Sequence, residues 1–194
     1  MEEQVVQATP TEGEQLAKKI KYRERGVKQY QHFILRLVIL VAIIWVLFFV
    51  FIGLTHMPNG DMYPRIDSGD FVMYYRLDKT PKFQEVVVYQ KPDNTGKKTQ
   101  MISRVIAVPG DTVEITTDGA VIVNGNALSE PGIFYRGTTY EGDTAPVYPL
   151  TLGENEYFVL GDMRTDARDS RSFGPVRGDE ILGTVITIVR RINL

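Results

Sequence analysis

TVEITTDGAVIVNGN, residues Thr112 to Asn126, reads as β-strand folded back on itself. Val113 and Ile115 alternate with polar neighbours, and Val121 to Val123 form a β-branched run. Between them Asp118-Gly119 supplies the residues that tolerate positive φ, so the segment predicts a hairpin turning there. Asn124-Gly125 predicts a second turn directly after it.

The same grammar extends in both directions. Short β-type runs lie at Phe71 to Arg76, Glu85 to Gln90, Gln100 to Val108, Tyr157 to Leu160 and Ile181 to Arg190, separated by Gly, Pro, Asn and Asp. The longest β-branched stretch, Ile181 to Ile192, predicts a late core strand. No helical period is visible in this part, so residues 56–194 are expected to form one mainly β domain of about 140 residues. Ser129 to Leu150 holds Gly, Pro and Tyr without periodicity and reads as a surface excursion. Of the aromatic complement Tyr74, Tyr75, Phe134, Tyr135, Tyr140 and Tyr148, the excursion residues Phe134 and Tyr135 are expected to be the most exposed.

Upstream the pattern breaks. Leu37 to Thr55, LVILVAIIWVLFFVFIGLT, carries no charge and is long enough to span a bilayer core as a helix, so a single transmembrane helix is expected at 37–55. A cleaved secretory signal would need a shorter apolar core and a small-x-small site, and neither follows Trp45. Lys18, Lys19, Lys21, Arg23, Arg25, Lys28 and Arg36 precede the run, whereas Thr55 to Asp61 hold no Lys or Arg. That asymmetry predicts a plasma-membrane protein with residues 1–36 as a basic cytoplasmic tail and the β domain outside. Leu16, Ile20, Val27 and Tyr30 are loosely helical in spacing, and the basic cluster could also serve anionic lipid or a partner. Residues 1–15 are polar and aperiodic and are expected to lack structure.

Composition narrows the chemistry. The net charge of -2 and the confinement of basic clusters to the apolar run argue against nucleic-acid binding. With no cysteine and only His32 and His56, both flanking the apolar run, a thiol nucleophile, a His-dependent triad, a zinc site and any cofactor are unexpected.

Three segments carry a more specific message. They are GDMYPRIDSGDFVMYYR (Gly60 to Arg76), RVIAVPGDTVEI (Arg104 to Ile115) and LGDMRTDARDSRSFGPV (Leu160 to Val176). In this order, after an anchor, they resemble the signature of the type I signal peptidases, Ser/Lys proteases that remove signal peptides on the outer face of the plasma membrane. The resemblance implies a β-rich external domain with its site near the membrane. Met62, Pro64, Gly69, Asp70, Arg104, Pro109, Gly110, Asp111, Gly161, Asp162, Asp169, Ser170, Arg171 and Gly174 stand where the motif expects them. Asp61, however, stands at the serine nucleophile position, Ser103 at the lysine position, and Ala167 at the serine that helps orient the lysine.

Such a dyad works because a neutral lysine amine takes the proton of an otherwise weak hydroxyl nucleophile. A carboxylate at 61 attacking a peptide carbonyl would give a labile anhydride, and the hydroxyl of Ser103 is too weak a base. The closest lysines, Lys97 and Lys98, lie in a polar turn-like stretch. An acid dyad of Asp61 with Asp162, Asp166 or Asp169 would need two matched loops, and no motif is duplicated. The simpler expectation is that Asp61 accepts hydrogen bonds within its own turn, Asn59-Gly60-Asp61, that Asp162 and Asp169 with Arg164, Arg168 and Arg171 form a structural ion-pair network, and that Gly110 and Gly161 serve turns.

No catalytic residue is therefore expected. Family members lacking both catalytic residues occur in Gram-positive bacteria as accessory proteins of sortase-dependent pilus assembly. The resemblance thus implies a catalytically inactive scaffold or chaperone, with pilin subunits and possibly sortase as partners. A peptide groove lined by Asp61, Met62, Tyr63, Pro64, Ser103 and Arg104 would bind an extended segment by strand addition. The alternative is a type I signal peptidase with a non-standard active site.

Overall fold

The computed structural model describes residues 12–92, 95–130, 132–133, 137 and 145–190. The chain divides into two compact units, Met1–Phe48 and Phe49–Leu194.

The described residues of the first unit, from Glu12 on, belong to a helix, α1, that runs over Glu12–Phe51. Within Lys21–Phe51 the helix is long and apolar enough to cross a membrane: its most apolar 18-residue window has a mean hydropathy of 3.0 and none of that window is buried. Both ends differ from expectation. Residues 12–15 are already helical, because a helix nucleated downstream gains one backbone bond for each residue it adds; residues 1–11 lie outside the described residues. At the other end the helix stops at Phe51 rather than Thr55, and Ile52–His56 forms strand β1. These residues gain a full antiparallel ladder with β2, Phe71–Tyr75, from Ile52↔Tyr75 to His56↔Phe71. Gly53 permits the switch: it lies flat against the Tyr74 ring. Arg76 ties the junction, donating from its backbone N–H to the Phe51 carbonyl and from Nε to the Ile52 carbonyl, with its guanidinium over the Phe49 and Tyr74 rings.

The second unit is mainly β, as expected. The further strands are β3 Val86–Pro92, β4 Lys98–Ala107, β5 Thr112–Ile115, β6 Val121–Val123, β7 Asn126–Ala127, β8 Leu150–Thr151, β9 Glu156–Leu160, β10 Val176–Arg177 and β11 Ile181–Val189. One short helix, α2 (Ser170–Phe173), precedes β10. A seven-stranded sheet has the order β1-β2-β11-β3-β4-β9-β10, and a four-stranded sheet the order β7-β6-β5-β8. Among the described residues every strand pair is antiparallel.

The hairpin at 112–126 folds as read. Val113↔Val123 to Ile115↔Val121 pair across it, and Gly119 sits at φ 80 in the turn. Asn124 and Gly125, at φ 52 and 77, make the second turn into β7. The late strand is only half core. Ile181 is fully buried, but Ile186 and Val189 are 56% and 53% exposed. The register shifts between Val185 and Thr187, and beyond that bulge β11 pairs only with β2. Ile192 lies outside the described residues, as do Phe134, Tyr135 and Tyr140. Tyr74 is buried, Tyr148 half-buried and Tyr75 exposed.

Three apolar clusters fill the domain. One surrounds Val87, Tyr89, Val105 and Val159 in the middle of the large sheet, and a second joins the small sheet to Ile106, Phe158 and Leu160. The third packs Met57, Met62 and Ile66 of the β1–β2 connection onto Val72, Val88 and Ile102.

A Cβ at Gly53 would lie 2.1 Å from the Tyr74 ring. Gly53→Ala is therefore expected to cost about 1–3 kcal/mol, read as a lower denaturation midpoint. Gly60→Ala, where a Cβ meets nothing within 4 Å, should leave the midpoint in place.

Candidate active site

Two connections and two strands build the site: the loop from Met57 to Asp70, the loop from Gly161 to Asp169, and the adjacent strands β3 and β4. The second loop is organised by a buried ion pair. Asp169 Oδ1 and Oδ2 accept from Arg171 Nε and Nη2 at 2.9 and 2.8 Å, and neither side chain is more than 2% exposed. Asp169 also caps α2 by accepting from the Arg171 N–H, and its Oδ2 accepts from the Gly161 N–H at 3.0 Å. Arg171 Nη1 donates to the Arg164 carbonyl, and Arg164 Nε to the Gly161 carbonyl. Ser170 Oγ accepts from the Val159 N–H.

The expected ion-pair network therefore exists, with different partners for two of its arginines. Asp162 is held by Arg104, through Nε at 2.9 Å and Nη2 at 2.7 Å, with Arg65 at 3.8 Å. Arg164 instead forks onto Glu130. Arg168 donates to the Pro92 carbonyl and lies over the Phe173 ring. The remaining motif residues shape turns. Gly69 N–H donates to Met57 O, and Asp70 Oδ2 accepts from the Asp67 N–H. Gly110, after Pro109, sits at φ 89, while the Asp111 carboxylate accepts from the Val108 N–H and from Asn124.

This framework brings the three altered positions together. The Asp61 carbonyl accepts from the Met163 N–H at 2.9 Å. A Cβ at Gly161 would lie 2.6 Å from that carbonyl oxygen and 2.3 Å from Ala167 Cβ, so Asp61 and Ala167 flank Gly161 closely. Ala167 is fully buried. Ser103 lies on β4 one step beyond the ladder pair Arg104↔Leu160, just as Gly161 does on the β9 side. Ser103 is buried too, and its Oγ is 3.0 Å from the hydroxyl of Tyr89, which is completely enclosed. Burial pushes the Tyr89 phenol well above its ordinary range; the Ser103 bond opposes this, and the charges of Asp169 and Asp61 add to it.

The Asp61 carboxyl is raised from its ordinary value, first by burial. The Asn59 side chain lowers it through a hydrogen bond, Asp169 raises it, and the Arg168 amide and Arg171 charge lower it. The expected bonds from amides of its own turn are thus replaced: Asp61 donates its N–H to Asn59 Oδ1 at 3.4 Å, while its carboxylate is served by the Asn59 side chain and Arg168. The loop folds back on Gly161 and so carries the carboxylate toward Arg168. An acid dyad is not assembled, since Asp162 and Asp169 are committed to Arg104 and Arg171 and Asp166 is exposed with Thr165. Lys79 and Lys91 bond elsewhere, to the Ile181 carbonyl and to Glu180.

Of the expected groove residues, Tyr63 and Pro64 face solvent and Asp61 does so partly. Met62 and Ser103 are core side chains instead, Met62 because it packs inward among Met57, Ile66 and Val72. Arg104 is spent on Asp162 and the Gln84 carbonyl. The sequence pattern did not single out Tyr89 or Glu130, and it marked Asn59 only as part of the turn that holds Asp61. The one signal for Tyr89 was a polar-tipped ring ending the apolar run at 86–88.

The family described as signal peptidase, peptidase S26, matches residues 30–190. The chain belongs to this signal peptidase family. It is 31% identical over 172 residues to Signal peptidase IB of Staphylococcus aureus (strain COL), covering 78% of this chain and 87% of that protein. Signal peptidase I P of Bacillus subtilis subsp. natto is 36% identical over 96 residues, covering 45% of this chain and 50% of that protein. Thylakoidal processing peptidase 1 of Arabidopsis thaliana is 28% identical over 138 residues, 66% of this chain and 38% of that protein. The chain thus spans half or less of the length of these last two relatives. The crystal structure of a signal peptidase I from Enterococcus faecalis V583 aligns with a TM-score of 0.44 at 30% identity, covering 57% of this chain and 99% of that one.

In this signal peptidase-family chain the folded state holds the Asp61 proton more tightly than the unfolded state does. The stability so contributed is complete below the ordinary carboxylate pKa of about 4 and is lost as pH rises through the raised value. Asp61→Asn removes that loss. Its melting midpoint should exceed the parent's at pH 7, with the gap closing as pH falls to about 4. A midpoint at or below the parent's at pH 7 would mean that the Asn59 and Arg168 contacts outweigh burial.

Proposed function

We propose that this chain has kept the signal-peptidase scaffold without its protease chemistry and acts as a membrane-held accessory scaffold or chaperone in sortase-dependent pilus assembly. The observation that carries the loss of chemistry is the Tyr89–Ser103 contact. At the general-base position stands a hydroxyl bonded at 3.0 Å to another hydroxyl, both shut from solvent. Neither oxygen can take a proton from a nucleophile near neutral pH. The neighbouring Asp61 is a carboxyl whose attack on a peptide carbonyl would give an anhydride. Losing either member of a cooperating nucleophile–base pair costs on the order of a millionfold in rate in a serine protease.

The pilus role rests on the resemblance to family members that lack both catalytic residues, and it takes pilin subunits and sortase as the partners. The basic residues before the apolar run and their absence after it favour a cytoplasmic N-terminus and an external β domain. The exposed Tyr63-Pro64 segment beside Asp61 is the part of the former groove still open to an extended peptide.

A second reading is favoured by the relatives, which carry the name signal peptidase. On it the chain would cleave signal peptides of exported proteins through a non-standard site. Deletion of the gene in its own host separates the two. The accessory reading expects pilus polymer to be lost while exported proteins are processed normally, and expects an Asp61→Ala copy to restore polymer at the parental level. Accumulation of unprocessed precursors, with restoration by the parent but not by Asp61→Ala, would establish the second reading and end the first.

A further inference from the structure

Tyr89 lies two residues from Val87, the cross-strand partner of Ser103, so both side chains rise from the same face of the sheet. The ring is pinned among Val87, Val105, Val159, Val176 and Ile181, with Phe173 tilted against it at 6.2 Å. It is completely buried, so it has no route outward without opening a large cavity in the core. Its oxygen, 3.0 Å from Ser103 Oγ, is in direct contact with the γ position of residue 103. The negative charges of Asp169 and Asp61 both act on the Tyr89 phenol. A lysine at 103 extends past the γ position by Cδ, Cε and Nζ, and its amine must travel toward residue 61 to act as a base.

We infer that Tyr89 closes the general-base position: its hydroxyl occupies the space directly beyond the γ position of residue 103, which the outer atoms of a lysine side chain there would need. This rests on the proposed reading of positions 61 and 103 as a disarmed nucleophile–base pair. It adds a fourth residue to the three that depart from the motif, one that the motif itself does not contain. Restoring serine at 61, lysine at 103 and serine at 167 then leaves the site blocked, because the core has been refilled around the shorter side chain. In a close-packed interior, added side-chain atoms force neighbours off their rotamers.

The test is a two-by-two set in the full chain purified in detergent: parent, Tyr89→Phe, Ser103→Lys, and both together. In the parent background Tyr89→Phe removes one buried hydrogen bond and should lower the melting midpoint by about 2–4 °C. In the Ser103→Lys background the same change removes the blocking oxygen and should raise the midpoint. If Ser103→Lys alone yields no folded protein, recovery of folded protein on adding Tyr89→Phe is the equivalent result. A tyrosine that only loses its Ser103 partner reverses sign equally in a Ser103→Ala background; a blocking hydroxyl raises the midpoint more with lysine at 103 than with alanine, and an equal rise would overturn the inference. A midpoint lowered by Tyr89→Phe in the parent and Ser103→Lys backgrounds alike, or no recovery of folded protein, would overturn it too. The readout is independent of activity, so a parent that cleaves preproteins would count against the proposed function while leaving the sign of this shift to be judged separately.

Discussion

The buried pair of Asp169 and Arg171 is the contact on which the rest of the site depends. Through it the first turn of α2 is capped, the Gly161 amide at the end of β9 is satisfied, and the Arg164 carbonyl finds a donor. Gly161 in turn carries Asp61 and Ala167 on its two sides, and Ser103 stands one ladder step away. Two charges removed from water are tolerable only when they are paired with good geometry and their remaining valences are met, and both conditions hold here. Removing either partner would strand the other, at a cost of about 3–5 kcal/mol. That penalty does not depend on catalysis, so the motif's ion pair is held by stability whatever chemistry the site performs.

The three positions that depart from the motif share one local logic. A lysine base in a protein interior must be desolvated to stay neutral, and a hydroxyl nucleophile must face it. Here the interior position is filled by two hydroxyls that satisfy each other, the supporting position by a methyl group, and the nucleophile position by a carboxyl that looks to Asn59 and Arg168. Each replacement is stable without the others' chemistry. On the proposed reading, none supplies the proton transfer that a Ser/Lys dyad performs.

Much of the fold was legible in the sequence because a half-buried strand advertises itself by alternation and a hairpin by its turn residues. Phe71 to Arg76, Gln100 to Val108 and the 112–126 hairpin fall within a residue or two of the expected limits. Strand β1 was hidden because its first residues, Ile52 to Leu54, continue the uncharged run of the helix, and only pairing with β2 reveals it. Strands β8 and β10 are two residues each, too short to show a period. At the site, the departures at 61, 103 and 167 could be read from motif positions alone. The Tyr89–Ser103 contact could not, because it arises from cross-strand register between residues that no local pattern connects.

The claim at the centre of this account is that the scaffold holds no working nucleophile–base pair. The most direct measurement is incubation of the purified full-length chain, in detergent at neutral pH, with a preprotein bearing a signal peptide, followed by mass spectrometry of the intact substrate. The account predicts that the preprotein remains whole at stoichiometric enzyme over many hours. Release of mature protein with a single new N-terminus, abolished by Asp61→Ala, would contradict it.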